Sequence, residues 1–221
     1  MNRILVLLFI VVAFTAVTSC SEDYELNSYS CNKSIDNWVK DHLSDIRNMS
    51  REEWISLEDS LKISVYRAFT QQQRLSFWKD KFNNIKSLDW SKEELLHIEK
   101  AESFLEDHYE FLSNEMLSDN QLDELELFGY KWVHDGERLF GWPLSLGIQM
   151  IGSGEDIHNK TDTIVYRKPV PPLNCHCHLG NSIFHTCGLS NGCYGSNCIE
   201  SGSSVGCGVF LSETCDGICD F

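Results

Sequence analysis

The chain has 221 residues, with 18 Lys and Arg against 33 Asp and Glu and a formal net charge of −15. That balance, with no basic stripe, argues against a nucleic-acid partner, because phosphate backbones are bound through clustered Lys and Arg; it also keeps the protein soluble and repels it from anionic headgroups. Cysteine divides the chain into two kinds of segment: Cys20 and Cys31 stand near the N-terminus, none lies between Asn32 and Asn174, and eight run from Cys175 to Cys219.

At the N-terminus Arg3 precedes an apolar run from Ile4 to Val17, followed by Thr18, Ser19 and Cys20. A spanning helix needs about 20 apolar residues, so a shorter run with one basic flank and small residues behind it is read as an export signal over 1–19. Val17-Thr18-Ser19-Cys20 resembles a bacterial lipobox, which implies that Cys20 is acylated and anchors the mature protein to a membrane; the plain alternative is an ordinary signal peptide. Two or more acyl chains give stable attachment, at about 0.8 kcal/mol per buried methylene. The acidic run Ser21 to Glu25, within a tether over 20–31, resembles the surface-export signals of some Gram-negative lipoproteins, and reads equally as a solvated spacer. The expected location is the outer membrane of a Gram-negative bacterium, reached by export.

Residues 32–151 read as consecutive amphipathic helices forming a bundle of about five. Ile35, Trp38, Val39, Leu43 and Ile46 share one face, and Leu57, Leu61 and Val65 continue the pattern. Thr70 to Gln73 reads as a capping box before the stripe Leu75, Trp78, Phe82 and Ile85; Ser91 to Glu94 and Ser118 to Gln121 read as two more, opening helices through Ile98 and Leu105 and through Leu125 and Trp132. Aromatic stripes at this spacing are expected to be core rather than a ligand groove. The pattern weakens after Asp135-Gly136, and 152–174, with Gly152, Gly154, Pro169, Pro171 and Pro172, reads as a linker. Arg167-Lys168 within it is a candidate processing site whose cleavage would release the C-terminal part of the chain, or simply an exposed basic pair.

From Cys175 to Phe221 there are 47 residues without a single Lys or Arg. So short a segment buries too little apolar surface to hold a fold unaided. Disulfides among Cys175, Cys177, Cys187, Cys193, Cys198, Cys207, Cys215 and Cys219 would stabilise it, each removing about 3 kcal/mol of unfolded-state entropy for a loop of about 15 residues. Eight cysteines allow 105 pairings, so connectivity stays open. If Cys20 is acylated, Cys31 is left over, free, linked to another chain, or simply a small residue at a helix entrance. Cys175-His176-Cys177-His178 has the wrong spacing for a closed zinc site, so neither metal nor cofactor is expected.

Asn174-Cys175-His176-Cys177, the spaced cysteines behind it, and Gly206-Cys207-Gly208 followed by Cys215 and Cys219 resemble the pattern of fulvocin C. Tyr66-Arg67-Ala68-Phe69 and Leu75-Ser76-Phe77-Trp78-Lys79 resemble the helical part of bacteriocin fulvocin C-related proteins. Cys215-Asp216-Gly217-Ile218-Cys219 departs from the family's closing Cys-Xaa-Cys. The resemblance implies a mainly α protein, a helical bundle followed by a small disulfide-rich module over 175–221, that acts on neighbouring bacteria through a receptor or other component of the target-cell surface. Lacking basic residues, the tail would rely on such a receptor or on apolar insertion through Ile183, Phe184, Val209, Phe210 and Leu211, since charge-driven lysis favours cationic faces. The alternative is a lipid-anchored surface binding module that kills nothing. The motifs of hydrolases, metalloproteases and phosphate-binding loops do not occur; His97, His108 and His134 stand alone, and no enzyme is expected.

Overall fold

The computed structural model describes residues 28–30, 32–160, 193–195, 205–215 and 217–219. The expected mainly α architecture is present, with eight α-helices among the described residues rather than about five. The difference comes from short breaks inside expected stripes. The Ile35 to Ile46 stripe forms two helices, α1 (Lys33–Asp41) and α2 (Leu43–Ile46), interrupted at His42. Asn32 caps α1, its side-chain oxygen accepting from the Ser34 and Ile35 amides. Helix α3 (Arg51–Ile55) opens with a reciprocal Ser50/Glu53 capping box. Then come α4 (Asp59–Arg67), α5 (Gln71–Lys86), α6 (Lys92–Asp107), a 3-10 turn at Tyr109–Leu112, α7 (Asp119–Phe140) and α8 (Leu144–Gly152).

The caps explain where the long helices start. Glu94 returns the Ser91 bond in full, and Gln121 accepts from the Ser118 amide and hydroxyl. At α5 only half of the expected box forms. Thr70 accepts from the Gln73 amide, but the Gln73 side chain donates instead to the carbonyls of Ile46 and Met49, tying α5 to the end of α2. Gly136 does not end α7. A Cβ there would lie 2.6 Å from the Trp142 ring, so the glycine makes room for Trp142 to fold back on the helix. The chain reverses at Gly141, whose φ of 71° is the left-handed C-terminal cap that glycine adopts without a Cβ penalty.

The helices close around one core. Trp78, Phe82 and Ile85 enter it from α5, Ile98, Ala101 and Leu105 from α6, Leu125, Trp132 and Val133 from α7, and Leu146, Met150 and Ile151 from α8. The stripes expected to be core are core. The start of the 152–174 stretch is tied to the bundle. Arg51 donates to the Gly154 carbonyl at 3.1 Å and pairs with Asp156 at 2.5 Å, Lys62 pairs with Glu155 at 2.7 Å, and Lys81 donates to the carbonyls of Gln149 and Ser153. Burial first, then the neighbouring Arg51 cation, pushes Lys81 well below the usual lysine range. Gly154 sits hard against Trp54 and Phe77, where a Cβ would approach both rings to 2.6 Å. Gly154→Ala is therefore expected to cost about 1–3 kcal/mol through overpacking, read as a lowered denaturation midpoint with unchanged native helicity.

The described C-terminal pieces are two short antiparallel pairs. Strand β1 (Cys193–Gly195) pairs with β4 (Gly217–Cys219), with Cys193 opposite Cys219 in register. Strand β2 (Val205–Cys207) pairs with β3 (Glu213–Thr214) across a bulge at Gly206, and a 3-10 turn at Val209–Leu211 joins them. An isolated two-stranded hairpin is marginal in water. The β2–β3 pair has two supports: a Cys207–Cys215 disulfide, and the helices themselves, because Val209, Phe210 and Leu211 belong to the same core cluster as the bundle. Residues 209–211 thus pack into the same core as the helices.

Candidate functional site

The feature with the most unusual chemistry is the socket in which the disulfide-closed loop sits. The loop starts from its cysteines. Cys207 and Cys215, both buried, are bonded across a sequence separation of 8 and enclose Gly208 to Thr214. Gly208 has a φ of 69°, and a Cβ there would displace the Glu213 carboxylate, so any other residue strains the turn that folds over Glu213. The buried Glu213 carboxylate accepts from the Val209 amide at 2.9 Å, and the Leu211 amide donates to the Gly208 carbonyl at 3.3 Å. At the tip, Phe210 and Leu211 have φ of 53° and 54°. Two successive non-glycine residues in the left-handed region cost about 1–2 kcal/mol each, and such strain persists only where surrounding contacts outweigh it.

Those contacts come from the helices around the tip. The Phe210 ring is fully buried, edge-on to Trp78 of α5 with centroids 5.3 Å apart, and it lies 6.4 Å from Phe82, 6.4 Å from Phe104 of α6 and 6.3 Å from Phe128 of α7. Such pairs add about 0.5–1.5 kcal/mol each beyond area burial. One polar chain, reaching in from α4, runs through this aromatic wall. The Trp78 indole N–H donates to the Tyr66 hydroxyl at 3.1 Å, and that hydroxyl donates to the Phe210 carbonyl at 3.1 Å. Burial pushes the Tyr66 phenol up to about 12, against the opposing pull of the Arg74 guanidinium over its ring, so the hydroxyl keeps its proton. Arg74 is itself buried and ties the end of α4 to the 3-10 turn, donating to the carbonyls of Tyr66, Arg67, Leu112 and Ser113 and to the Asn114 side chain. Tyr66→Phe leaves the Trp78 N–H without an acceptor and the Phe210 carbonyl with only a 3.4 Å bond from Ser212. The expected loss is about 1–3 kcal/mol, measured by urea denaturation.

Phe104 and Phe128 stack at 3.7 Å and have a second face. Together with Leu96, Leu139 and Phe140 they line an open, largely apolar groove of about 790 Å³ between α6 and α7. The edge of the aromatic stripe thus reaches the surface while its body forms core.

The titratable residues singled out in the sequence have structural partners. His97 is buried, stacked on Trp132, and exchanges hydrogen bonds with it: its Nε2 donates to the Trp132 carbonyl, and the Trp132 indole N–H donates to the His97 carbonyl. Burial lowers its pKa and favours the neutral ring. His108 spans the Phe104 carbonyl and Glu124, and His134 lies 3.4 Å from Glu137. The capping-box residue Glu94 also turns inward to meet the Trp142 indole N–H and Lys160, each at 2.8 Å. Among the described residues, no group of three or more His, Cys, Asp or Glu could hold a metal ion, and no helix is long and apolar enough to cross a membrane.

Of the expected disulfide cysteines, Cys207 and Cys215 are bonded to each other, and Cys193 and Cys219 are backbone partners in the β1–β4 register. Cys175, Cys177, Cys187 and Cys198 lie outside the described residues, as do Cys20, Cys31, Arg167, Lys168, Ile183 and Phe184. The socket residues that the sequence reading did not single out are Arg74, Phe104 and Phe128, and Tyr66 entered it only within the Tyr66-Arg67-Ala68-Phe69 resemblance; the glycines flanking Cys207 were the available signal that this turn is tight. Comparison with protein-family models, curated proteins and solved structures finds no match.

Proposed function

We propose that the chain is an exported, lipid-held bacteriocin-like protein whose cysteine-rich C-terminal part acts on neighbouring bacteria, with the helical domain storing its apolar tip while the two are joined. The resemblance to fulvocin C supplies the antibacterial side of this reading. The observation that carries the storage side is the complete burial of Val209 and Phe210, and near burial of Leu211, in the helical core. Those three, with Ile183 and Phe184, are the candidates for apolar engagement of a target in a tail without a basic residue. A helical domain that covers them suits a pro-segment or self-protection domain better than a presenting stalk. Lipid on Cys20 would keep the stored form at the producer's outer membrane, and cleavage at Arg167-Lys168 would release the tail. No catalytic step is needed.

A second reading draws on the same burial. If the loop never leaves the core, the tail is an integral part of a lipid-anchored surface binding protein and nothing is killed. The deciding experiment applies the oxidised fragment Asn174 to Phe221, and separately the intact mature chain, to related strains. The antibacterial reading expects growth inhibition by the fragment at a concentration at least ten-fold below that of the intact chain. A correctly oxidised fragment that inhibits no strain counts against it, and a stable surface partner recovered with the intact chain favours the second reading.

A further inference from the structure

The loop and its socket have the properties of a ligand and a receptor. The loop is closed by its own disulfide and by a Val209 to Glu213 hydrogen bond, so its closure is set within the ring, while its left-handed tip is held by the socket. A ligand that carries its bound shape loses little freedom on binding. The socket supplies what that shape needs: an aromatic wall from Trp78, Phe82, Phe104 and Phe128, and a buried Tyr66 hydroxyl directed at the Phe210 carbonyl. The paired left-handed residues at the tip are strain of the kind found at ligand clamps and switch segments.

We infer that the helical domain is a receptor for the Cys207–Cys215 loop, and that it accepts this loop from a second copy of the chain whenever its own is withdrawn. The ligand class is a disulfide-closed peptide presenting Val209-Phe210-Leu211. The binding rests only on these contacts. Its consequence under the antibacterial reading is self-protection, since helical domains anchored on the producer would capture released tails by covering their apolar tip. Growth inhibition tests the antibacterial reading, whereas peptide binding tests the receptor.

The protein is the full chain carrying Gly208→Ala, in which the new Cβ meets the Glu213 carboxylate at a positive φ, so that closure of the resident loop is strained while every socket residue is unchanged. The probe is a fluorescein-labelled, oxidised synthetic peptide covering 204–216, read by anisotropy. The expected result is binding to Gly208→Ala at least ten-fold tighter than to the unmodified chain, whose tethered loop competes at high effective concentration. A peptide carrying Phe210→Ala, or the same peptide reduced, is expected to bind at least ten-fold more weakly. A chain carrying Phe210→Ala, which removes only the resident anchor, is the second receptor and should take up the probe likewise. Equal affinity of mutant and unmodified chains, no binding by either mutant, or equal binding of the Phe210→Ala peptide overturns the inference. So does loss of native far-UV circular dichroism in both mutant chains, because an occupant the fold cannot do without is not an exchangeable ligand.

Discussion

Phe210→Ala is expected to lower the stability of the helical domain by about 3–5 kcal/mol, the usual cost of truncating a buried Phe, although the residue lies far from those helices in sequence. Phe210 is fully enclosed, and its ring closes the gap between α5, α6 and α7. Alanine removes the ring, keeps the strained backbone and leaves a cavity lined by Trp78, Phe82, Phe104 and Phe128. In urea, with a slope of about 1–3 kcal/mol per molar, the helical transition should move down by about 2 M. A cysteine-rich module folding by itself would leave that transition unchanged. Domains are stable by only about 5–15 kcal/mol, so this one side chain accounts for a large share.

Acid should weaken the fold chiefly through Glu94. Burial opposes ionisation of this carboxyl, but hydrogen bonds from Lys160, Trp142 and the Ser91 cap outweigh it and hold the pKa at about 2 against an ordinary 4.5. The unfolded chain therefore takes up a proton at higher pH than the folded one, and the stabilisation, present in full above pH 4.5, is lost as the pH falls towards 2. A shift of this size corresponds to roughly 3 kcal/mol. Asp36, Glu53 and Asp135 are also held below their ordinary values and add slope of the same sign, so the informative quantity is the difference between the unmodified chain and Glu94→Gln. Glu94→Gln should be less stable at pH 7 and should lose most of that difference by pH 2. Parallel stability curves for the two from pH 6 to pH 2 would remove Glu94 from this role.

Much of the helical domain is legible in the sequence because its signals are local. The Ser91/Glu94 and Ser118/Gln121 boxes lie within four residues, and stripes such as Trp78, Phe82 and Ile85 repeat at helical spacing. What escapes is decided at long range. Gln73 satisfies a box pattern yet bonds to Ile46 and Met49, because carbonyls at the end of α2 happen to lie nearby. Arg51, Lys62 and Lys81 belong to residue types that are mostly exposed, yet each is buried and fastens the segment at 153–156. Helix α8 hides among Gly and Pro residues that usually mark loops. The socket was the least legible element: Tyr66 and Phe210 are 144 residues apart, and the density of cysteines around the loop suggests a self-sufficient module. Nothing local tells that Phe210 and Leu211 adopt the left-handed conformation, since apolar residues rarely do.

The measurement that bears most directly on the docked loop is nuclear Overhauser spectroscopy of the oxidised chain with selectively labelled Phe, Tyr and Trp rings. Docking requires cross-peaks from the Phe210 ring protons to those of Trp78 and to at least one of Phe82, Phe104 and Phe128. Cross-peaks from Phe210 confined to residues of 193–219, with none to the helices, would contradict it.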